Sequence, residues 1–219
     1  MKKILFVLIL IVCCNGITEA GLSSTIYPSA KGYAIDNYRE DGTFDRFFPY
    51  EDVRVGLPSW GEARGYVEFR IDSIKDVIFS TSDEDGTITE YKLDQIYLRR
   101  WWYSGSTANS NTSLYGYTGN GLANNSDVYN TDMLIKTGVG SYGSINVTDF
   151  VINLRNNNEI YAGFVLKEEK NGILLNYGAF FLDAKYTVVP EPTTLLLFAV
   201  GAICLERFSG KRKNIKRWG

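Results

Sequence analysis

The 219-residue chain contains no histidine. This absence removes the commonest general base, the commonest metal ligand and every histidine-dependent catalytic triad. Its three cysteines, Cys13, Cys14 and Cys204, all lie in hydrophobic terminal segments. The segment from residue 21 to residue 189 therefore has no disulfide framework, no cysteine nucleophile and no cysteine-based metal site.

The central segment also lacks an excess of positive charge. Basic residues concentrate at the two ends of the chain, at Lys2 and Lys3 and in a cluster between residues 207 and 217. The segment between these ends is acidic overall. An acidic segment without a basic patch argues against nucleic acid as a partner.

Residues 1–20 are typical of a secretory signal peptide. Two lysines precede an apolar run from Ile4 to Cys14, and the segment closes with the small residue Ala20. This order predicts export with cleavage after Ala20. A lipoprotein anchor at Cys13 or Cys14 is the minor alternative, because bulky residues precede both cysteines.

The last thirty residues contain three elements in order. Pro190-Glu191-Pro192 comes first, and an apolar run from Thr193 to Leu205 follows. As a helix this run would span roughly 20 Å, which is short of the ~30 Å hydrocarbon core of a membrane. A basic stop follows, formed by Arg207, Lys211, Arg212 and Lys213. The basic cluster would stay on the cytoplasmic side of a weak membrane anchor.

These three elements resemble the bacterial PEP-CTERM sorting signal. The resemblance implies that residues 190–219 are recognised by an exosortase, a membrane peptidase whose catalytic residues belong to the other protein. It also implies transient anchoring in the inner membrane, followed by delivery to the cell surface or extracellular matrix of a cell that makes exopolysaccharide. An ordinary single-pass anchor is the alternative.

The pattern between residues 21 and 189 predicts one all-β domain. In the segment RGYVEFRID, Val67, Phe69 and Ile71 alternate with Tyr66 and Glu68, as on the two faces of a strand. Other strands show the same period of two, and turn residues separate them at short intervals. We therefore predict an antiparallel β-sandwich of the jelly-roll type.

Three local signals refine this prediction. Asp85-Gly86 and Asn171-Gly172 predict hairpin turns. Thr148–Leu154 is the one predicted helix, with Thr148 or Asp149 as its N-cap. Ser106–Asp132 is dense in Asn, Gly, Ser and Thr, and predicts long turns on the rim of the domain.

The order of segments in this domain resembles a DNRLRE-type domain. The matching pieces are YAIDNY, DVRVGLPSWGEARGYVEFRI, SINVTDFVINLRNNNEIYAGFVLKEE and FFLDAKYTV. They cover most of Tyr33 to Val188, whereas Asp83–Gly143 matches nothing in the pattern. The resemblance implies a jelly roll akin to carbohydrate-binding modules and common in surface proteins.

Aromatic side chains are the candidate ligand contacts. Sugar rings stack on exposed Trp and Tyr faces, and neighbouring polar groups fix their orientation. The candidate glycan contacts are Trp60, Trp101, Trp102, Tyr115 and Tyr117. A core position is the alternative for each of them, since loops can cover either face of a strand.

Together these patterns predict a non-catalytic exported surface or matrix protein that binds exopolysaccharide. A carbohydrate-active enzyme acting on the cell's own exopolysaccharide and a protein-binding surface scaffold are the alternatives. We expect no cofactor. A structural Ca²⁺ ion held by Asp36, Asp149 or Asp183 would suit a jelly roll, but the sequence does not place it.

Overall fold

The computed structural model describes residues 21–37, 43–59, 61–81, 88–105, 111–139, 142–170 and 173–189, with backbone only at 101–105 and 142. The predicted signal peptide (residues 1–20) and sorting segment (residues 190–219) lie outside the described residues. None of the helices that the structure describes is long and apolar enough to cross a membrane.

The described chain contains strands, one α-helix, α1 (Thr148–Asn156), and one 3-10 helix, Asn125–Tyr129. The strands are β1 (Leu22–Ile26), β2 (Ala30–Asp36), β3 (Arg46–Pro49), β4 (Val53–Gly56), β5 (Glu62–Arg70), β6 (Val77–Thr81), β7 (Ile88–Gly105), β8 (Thr112–Thr118), β9 (Met133–Lys136), β10 (Tyr142–Asn146), β11 (Tyr161–Glu168) and β12 (Leu174–Val188).

The strands form one hydrogen-bonded path in the order β10-β7-β12-β4-β5-β11-β8-β9. Beside this path β1 pairs with β12, β2 with β3 and β5, and β6 with β7. The strand pairs are antiparallel wherever their register is defined. The predicted all-β, antiparallel, sandwich-like class is confirmed.

Two compact units divide the described residues. The smaller unit contains residues 78–81, 88–92 and 187–189, and the larger contains the described residues of Gly21–Val77 and Leu93–Tyr186. In the smaller unit, the Val189 amide donates a 2.9 Å hydrogen bond to the Glu90 carbonyl.

The core of the larger unit lies against one face of β5 and β11. The register pairs Val67 with Phe164, so their side chains share this face. The Phe164 ring lies 5.4 Å from the ring of Phe150 on α1 and 6.0 Å from that of Phe69, both edge to face. Helix α1 therefore closes this core through its buried residues Phe150, Val151 and Leu154.

Helix α1 begins where the sequence predicts but extends past the predicted end at Leu154, to Asn156. Its N-cap is Val147, which makes no side-chain capping bond, rather than Thr148 or Asp149. The Thr148 hydroxyl instead accepts a 2.8 Å hydrogen bond from the Ile96 amide and so ties the helix to β7.

The opposite face of the same strands is also buried. A second apolar cluster covers it, formed by Ala30, Ala34, Phe44, Tyr66, Val128 and Val165. Val128 belongs to the 3-10 helix, which contacts β2, β5 and β11. The segment from Gly119 to Asn130, called here the covering loop, therefore closes the second face.

One predicted hairpin is confirmed as a strand pair and the other is wrong. Strands β6 and β7, which flank Asp85-Gly86, do pair, although the turn itself lies outside the described residues. Strands β11 and β12, which flank Asn171-Gly172, do not pair. The reason is that β5 and β8 already occupy the two edges of β11, and β12 pairs with β4 instead.

We expect Phe164→Ala to lower the free energy of unfolding by about 3–5 kcal/mol, because the change leaves a cavity between α1 and the sheet. Phe79→Ala is the matched control, since Phe79 on β6 is 68% exposed and surface changes cost within about 0.5 kcal/mol. Urea unfolding of both variants measures the difference. Equal losses in the two variants would contradict this core.

Candidate functional site

The structure places the sequence-predicted aromatic residues in different situations. Trp60 lies outside the described residues, and for Trp101 and Trp102 only the β7 backbone is described. Tyr115 and Tyr117 lie on β8, between β11 and β9, and not in a rim loop as the polar composition suggested.

Tyr117 belongs to the packing of the second face. Its ring lies so close to Gly163 that an added Cβ would come within 2.3 Å of it. Its hydroxyl donates a 2.9 Å hydrogen bond to Glu68. Tyr115 packs against the same apolar cluster, and its hydroxyl donates a 3.4 Å bond to Glu169. These contacts give both tyrosines a structural role.

Glu68 is a fully buried carboxylate at the centre of this face, with 0% of its surface exposed. Besides Tyr117, it accepts hydrogen bonds from the Gly121 amide at 2.6 Å and the Asn120 amide at 3.2 Å. Burial raises the pKa of Glu68, and these three donors oppose the rise. The carboxylate therefore fastens the start of the covering loop to β5.

Asp127 is a second buried carboxylate in the covering loop, only 3% exposed. It accepts a 3.0 Å hydrogen bond from the Asn124 amide and so caps the 3-10 helix. Burial raises its pKa to about 7, and the charge of Glu68 adds to the rise. Both carboxylates are sealed from solvent, so neither can reach a polysaccharide.

We expect the Asp127 carboxyl to contribute to the free energy of unfolding by an amount that falls as pH rises. Its pKa is about 7 when folded against an ordinary 3.8, so the folded protein binds this proton more tightly than the unfolded chain. The contribution of this carboxyl to the free energy of unfolding is therefore fully present below about pH 4 and is lost between about pH 4 and pH 7. Asp127→Asn should reduce this slope; Glu68 acts in the same direction and leaves part of it.

Urea midpoints at several pH values between 4 and 8 measure this slope. Asp132→Asn is the matched control, since Asp132 is an exposed carboxylate five positions along the chain, and it should keep the wild-type slope. An unchanged slope in Asp127→Asn would contradict the assignment of the titration to Asp127.

A different pair of tyrosines lies open to solvent. Tyr27 is 75% exposed and Tyr50 is 66% exposed. Both line one groove of about 280 Å³, called here the tyrosine groove. Its remaining lining residues are Pro28, Ser29, Ala30, Lys31, Gly178, Ala179 and Phe180.

Two strand connections and one stretch of β12 build the tyrosine groove. Tyr27 and Pro28 connect β1 to β2, and Tyr50 lies between the end of β3 and the start of β4. The third wall lies in β12, where the alternation of buried residues shifts by one position. Leu175 and Tyr177 are buried before this point, and Phe180 and Leu182 are buried after it. There β12 exchanges its partner β4 for β1, which leaves Gly178 and Ala179 in the groove.

Tyr50 has a left-handed backbone conformation, with φ of 64°. This conformation is uncommon for a bulky residue and costs about 1–3 kcal/mol. A 2.7 Å hydrogen bond from the Tyr50 amide to the Lys31 carbonyl holds it. Strained residues of this kind cluster at functional sites, and this turn points to the groove as such a site.

Charge in the tyrosine groove is balanced. Among the described residues that line it, Lys31 is the only ionisable one apart from the tyrosines. The Lys31 ammonium lies 3.4 Å from the carboxylate of Asp52, and both side chains are partly exposed. The groove therefore presents aromatic faces beside a neutralised ion pair.

A second groove of about 600 Å³ lies between β9 and α1. Met133 and Leu134 on β9 are exposed at its edge, and Asp94 and Asp149 also line it. Phe150, the one aromatic residue among its described lining, is buried in the core and offers no free ring face. This groove lacks the platform that a sugar ring requires.

The structure does not bring the predicted calcium ligands together. Asp36 ends β2, Asp149 lies in the first turn of α1, and Asp183 lies on β12. Asp183 forms a 2.6 Å ion pair with Arg99. Among the described residues no three Asp, Glu, Cys or His side chains are placed to hold a metal ion.

Comparison with known proteins identifies the C-terminal segment. A family model described as the PEP-CTERM protein-sorting motif matches residues 188–213. The chain carries a PEP-CTERM motif. The match includes Pro190-Glu191-Pro192, the apolar run and the basic residues through Lys213. No curated protein matches the chain.

The PEP-CTERM motif gives the chain a destination and a processing partner. It marks an exported protein that passes through a membrane-anchored sorting step towards the cell surface, with an exosortase as its partner. The motif starts at Val188, the last residue of β12, so the sorting segment follows the final strand directly.

Sequence reasoning missed the tyrosine groove, although each tyrosine carries a local signal. Tyr27 precedes Pro28 and Tyr50 follows Pro49, and a proline between two strands indicates a turn. The juxtaposition of the two turns depends on strand pairing and has no local signal.

Proposed function

We propose that the protein is a non-catalytic, exosortase-sorted surface protein that binds exopolysaccharide. The PEP-CTERM motif supports the route to the surface, and the tyrosine groove supports the binding. The exposure of Tyr27 and Tyr50 in one groove is the observation that carries the binding proposal.

The exposed tyrosines suit a sugar ligand for a physical reason. The C–H bonds on one side of a sugar ring form an apolar surface that stacks on an aromatic face, while its hydroxyl groups take hydrogen bonds from nearby polar groups. Tyr27 and Tyr50 supply the aromatic faces, and the Lys31 ammonium supplies donors at the groove wall.

The distribution of carboxylates favours binding over hydrolysis. A glycosidase needs two carboxyl groups on either side of the bond that it cleaves. No carboxylate lines the tyrosine groove among the described residues. The buried carboxylates Glu68 and Asp127 are engaged in holding the covering loop. These placements support a protein that retains a polysaccharide without cleaving it.

Replacing Pro190-Glu191-Pro192 by three alanines should keep the protein in the inner membrane with its tail attached. The reason is that the exosortase would no longer recognise the sorting motif. Intact mass of the protein from envelope fractions tests this. The wild type should end near Pro192, and a wild type that retains Trp218 and Gly219 in the membrane would contradict sorting.

The processed wild-type protein should be retained by exopolysaccharide purified from the same cells and should release no reducing ends from it. Co-sedimentation measures retention, and a reducing-sugar assay measures cleavage. Release of reducing ends would favour the enzyme alternative. Surface display without retention by any polysaccharide would favour the protein-binding scaffold.

A further inference from the structure

We propose that the tyrosine groove binds a neutral, hydroxyl-rich pyranose segment by stacking its rings on Tyr27 and Tyr50. This inference rests on the proposed function, since it names the site and the chemical class of the polysaccharide. The geometry of the turn at Tyr50, the charge balance at Lys31 and the size of the groove each support it.

Tyr50 is a large residue in a backbone conformation that favours a small one. At φ of 64° glycine or asparagine is the favoured residue. The other non-glycine residue with positive φ in the described chain is Asn158, which follows this preference. Tyr50 does not follow it, and its ring is not used in the core because it is 66% exposed.

The exposed ring of Tyr50 is not part of the buried core, so core packing does not explain why a large residue occupies this strained turn. Its amide makes the 2.7 Å bond to the Lys31 carbonyl, and any residue other than proline could make that bond. A ligand that stacks on the ring accounts for a side chain held in a strained turn beside Tyr27.

The charges at the groove favour a neutral sugar over an acidic one. An acidic polysaccharide would need a cation that is free to pair with its carboxylates. Lys31, the one cationic residue among the described lining of the groove, is already 3.4 Å from the Asp52 carboxylate. An incoming uronate would have to displace Asp52 or lie beside its like charge. A neutral ring meets neither cost and can still accept hydrogen bonds from the Lys31 ammonium.

The groove also limits the length of the bound segment. Its volume of about 280 Å³ lies just below the range of about 300–1,000 Å³ for ligand pockets. The site accommodates a short segment of a long chain. Binding to one segment should be weak, and retention on a polymer should come from many equivalent segments.

Isothermal titration of the full processed protein with two fractions of the cells' own exopolysaccharide, neutral and uronate-rich, tests the proposal. The variants are Tyr27→Ala, Tyr50→Ala and Tyr50→Asn. Asparagine removes the ring and suits the left-handed backbone, so this variant should fold even if Tyr50→Ala does not. Phe79→Ala is the control, because Phe79 is a comparably exposed aromatic residue that does not line the groove.

We expect the wild type and Phe79→Ala to bind the neutral fraction with an affinity that salt hardly changes, since no net charge is paired. Loss of either tyrosine ring should weaken binding about tenfold or more, as expected when an aromatic stack and its buried area are lost. Urea unfolding should show that Tyr50→Asn is at least as stable as the wild type.

Wild-type binding that Tyr27→Ala and Tyr50→Asn leave unchanged would overturn the assignment of this groove and leave the proposed function standing. Salt-sensitive preference for the uronate-rich fraction would overturn the neutral class. Absence of wild-type binding to both fractions would overturn the proposed function itself, and the inference with it.

Discussion

The buried carboxylate of Glu68 is the constraint on which the larger unit depends. Strands β5, β11 and β8 are buried on both faces. In an ordinary two-layer sandwich the outer face of each sheet is open to solvent, whereas here the face that carries Glu68 is covered by a further segment. The three hydrogen bonds from Tyr117, Asn120 and Gly121 supply that cover by fixing the start of the covering loop. Without them a charged group would lie buried and unpaired, which proteins avoid because of the desolvation cost.

The same residue connects the buried face to the tyrosine groove. The backbone carbonyl of Glu68 accepts a 2.8 Å bond from the Ser29 amide and a 3.1 Å bond from the Ser29 hydroxyl. Ser29 lies two residues after Tyr27 and lines the groove. These two bonds connect the interior to the wall of the groove, and Tyr27 and Tyr50 lie in turns at the strand ends. A binding surface on turns held by a rigid sheet is a common arrangement in β-domains.

Local patterns predict the strands, the start of α1 and the sorting motif. The reason is that period-two alternation and the order of elements in the C-terminal segment depend only on residues that are close in sequence. They could not predict the burial of Glu68, since alternation assigns a face to a side chain but does not say what covers that face. The predicted pairing of β11 with β12 is wrong for a related reason: a turn signal carries no information about edges of β11 that β5 and β8 already occupy. The tyrosine groove joins residues 27, 50 and 178, and only strand pairing brings them together.

The central claim is that the processed protein holds polysaccharide at the tyrosine groove. Two-dimensional NMR of the labelled protein, titrated with neutral oligosaccharides cut from the cells' own exopolysaccharide, tests it most directly. The account predicts that the largest shift changes fall on Tyr27, Lys31, Tyr50 and Ala179, with the covering loop around Gly121 unchanged. Changes confined to other surfaces, or no changes at saturating oligosaccharide, would contradict it.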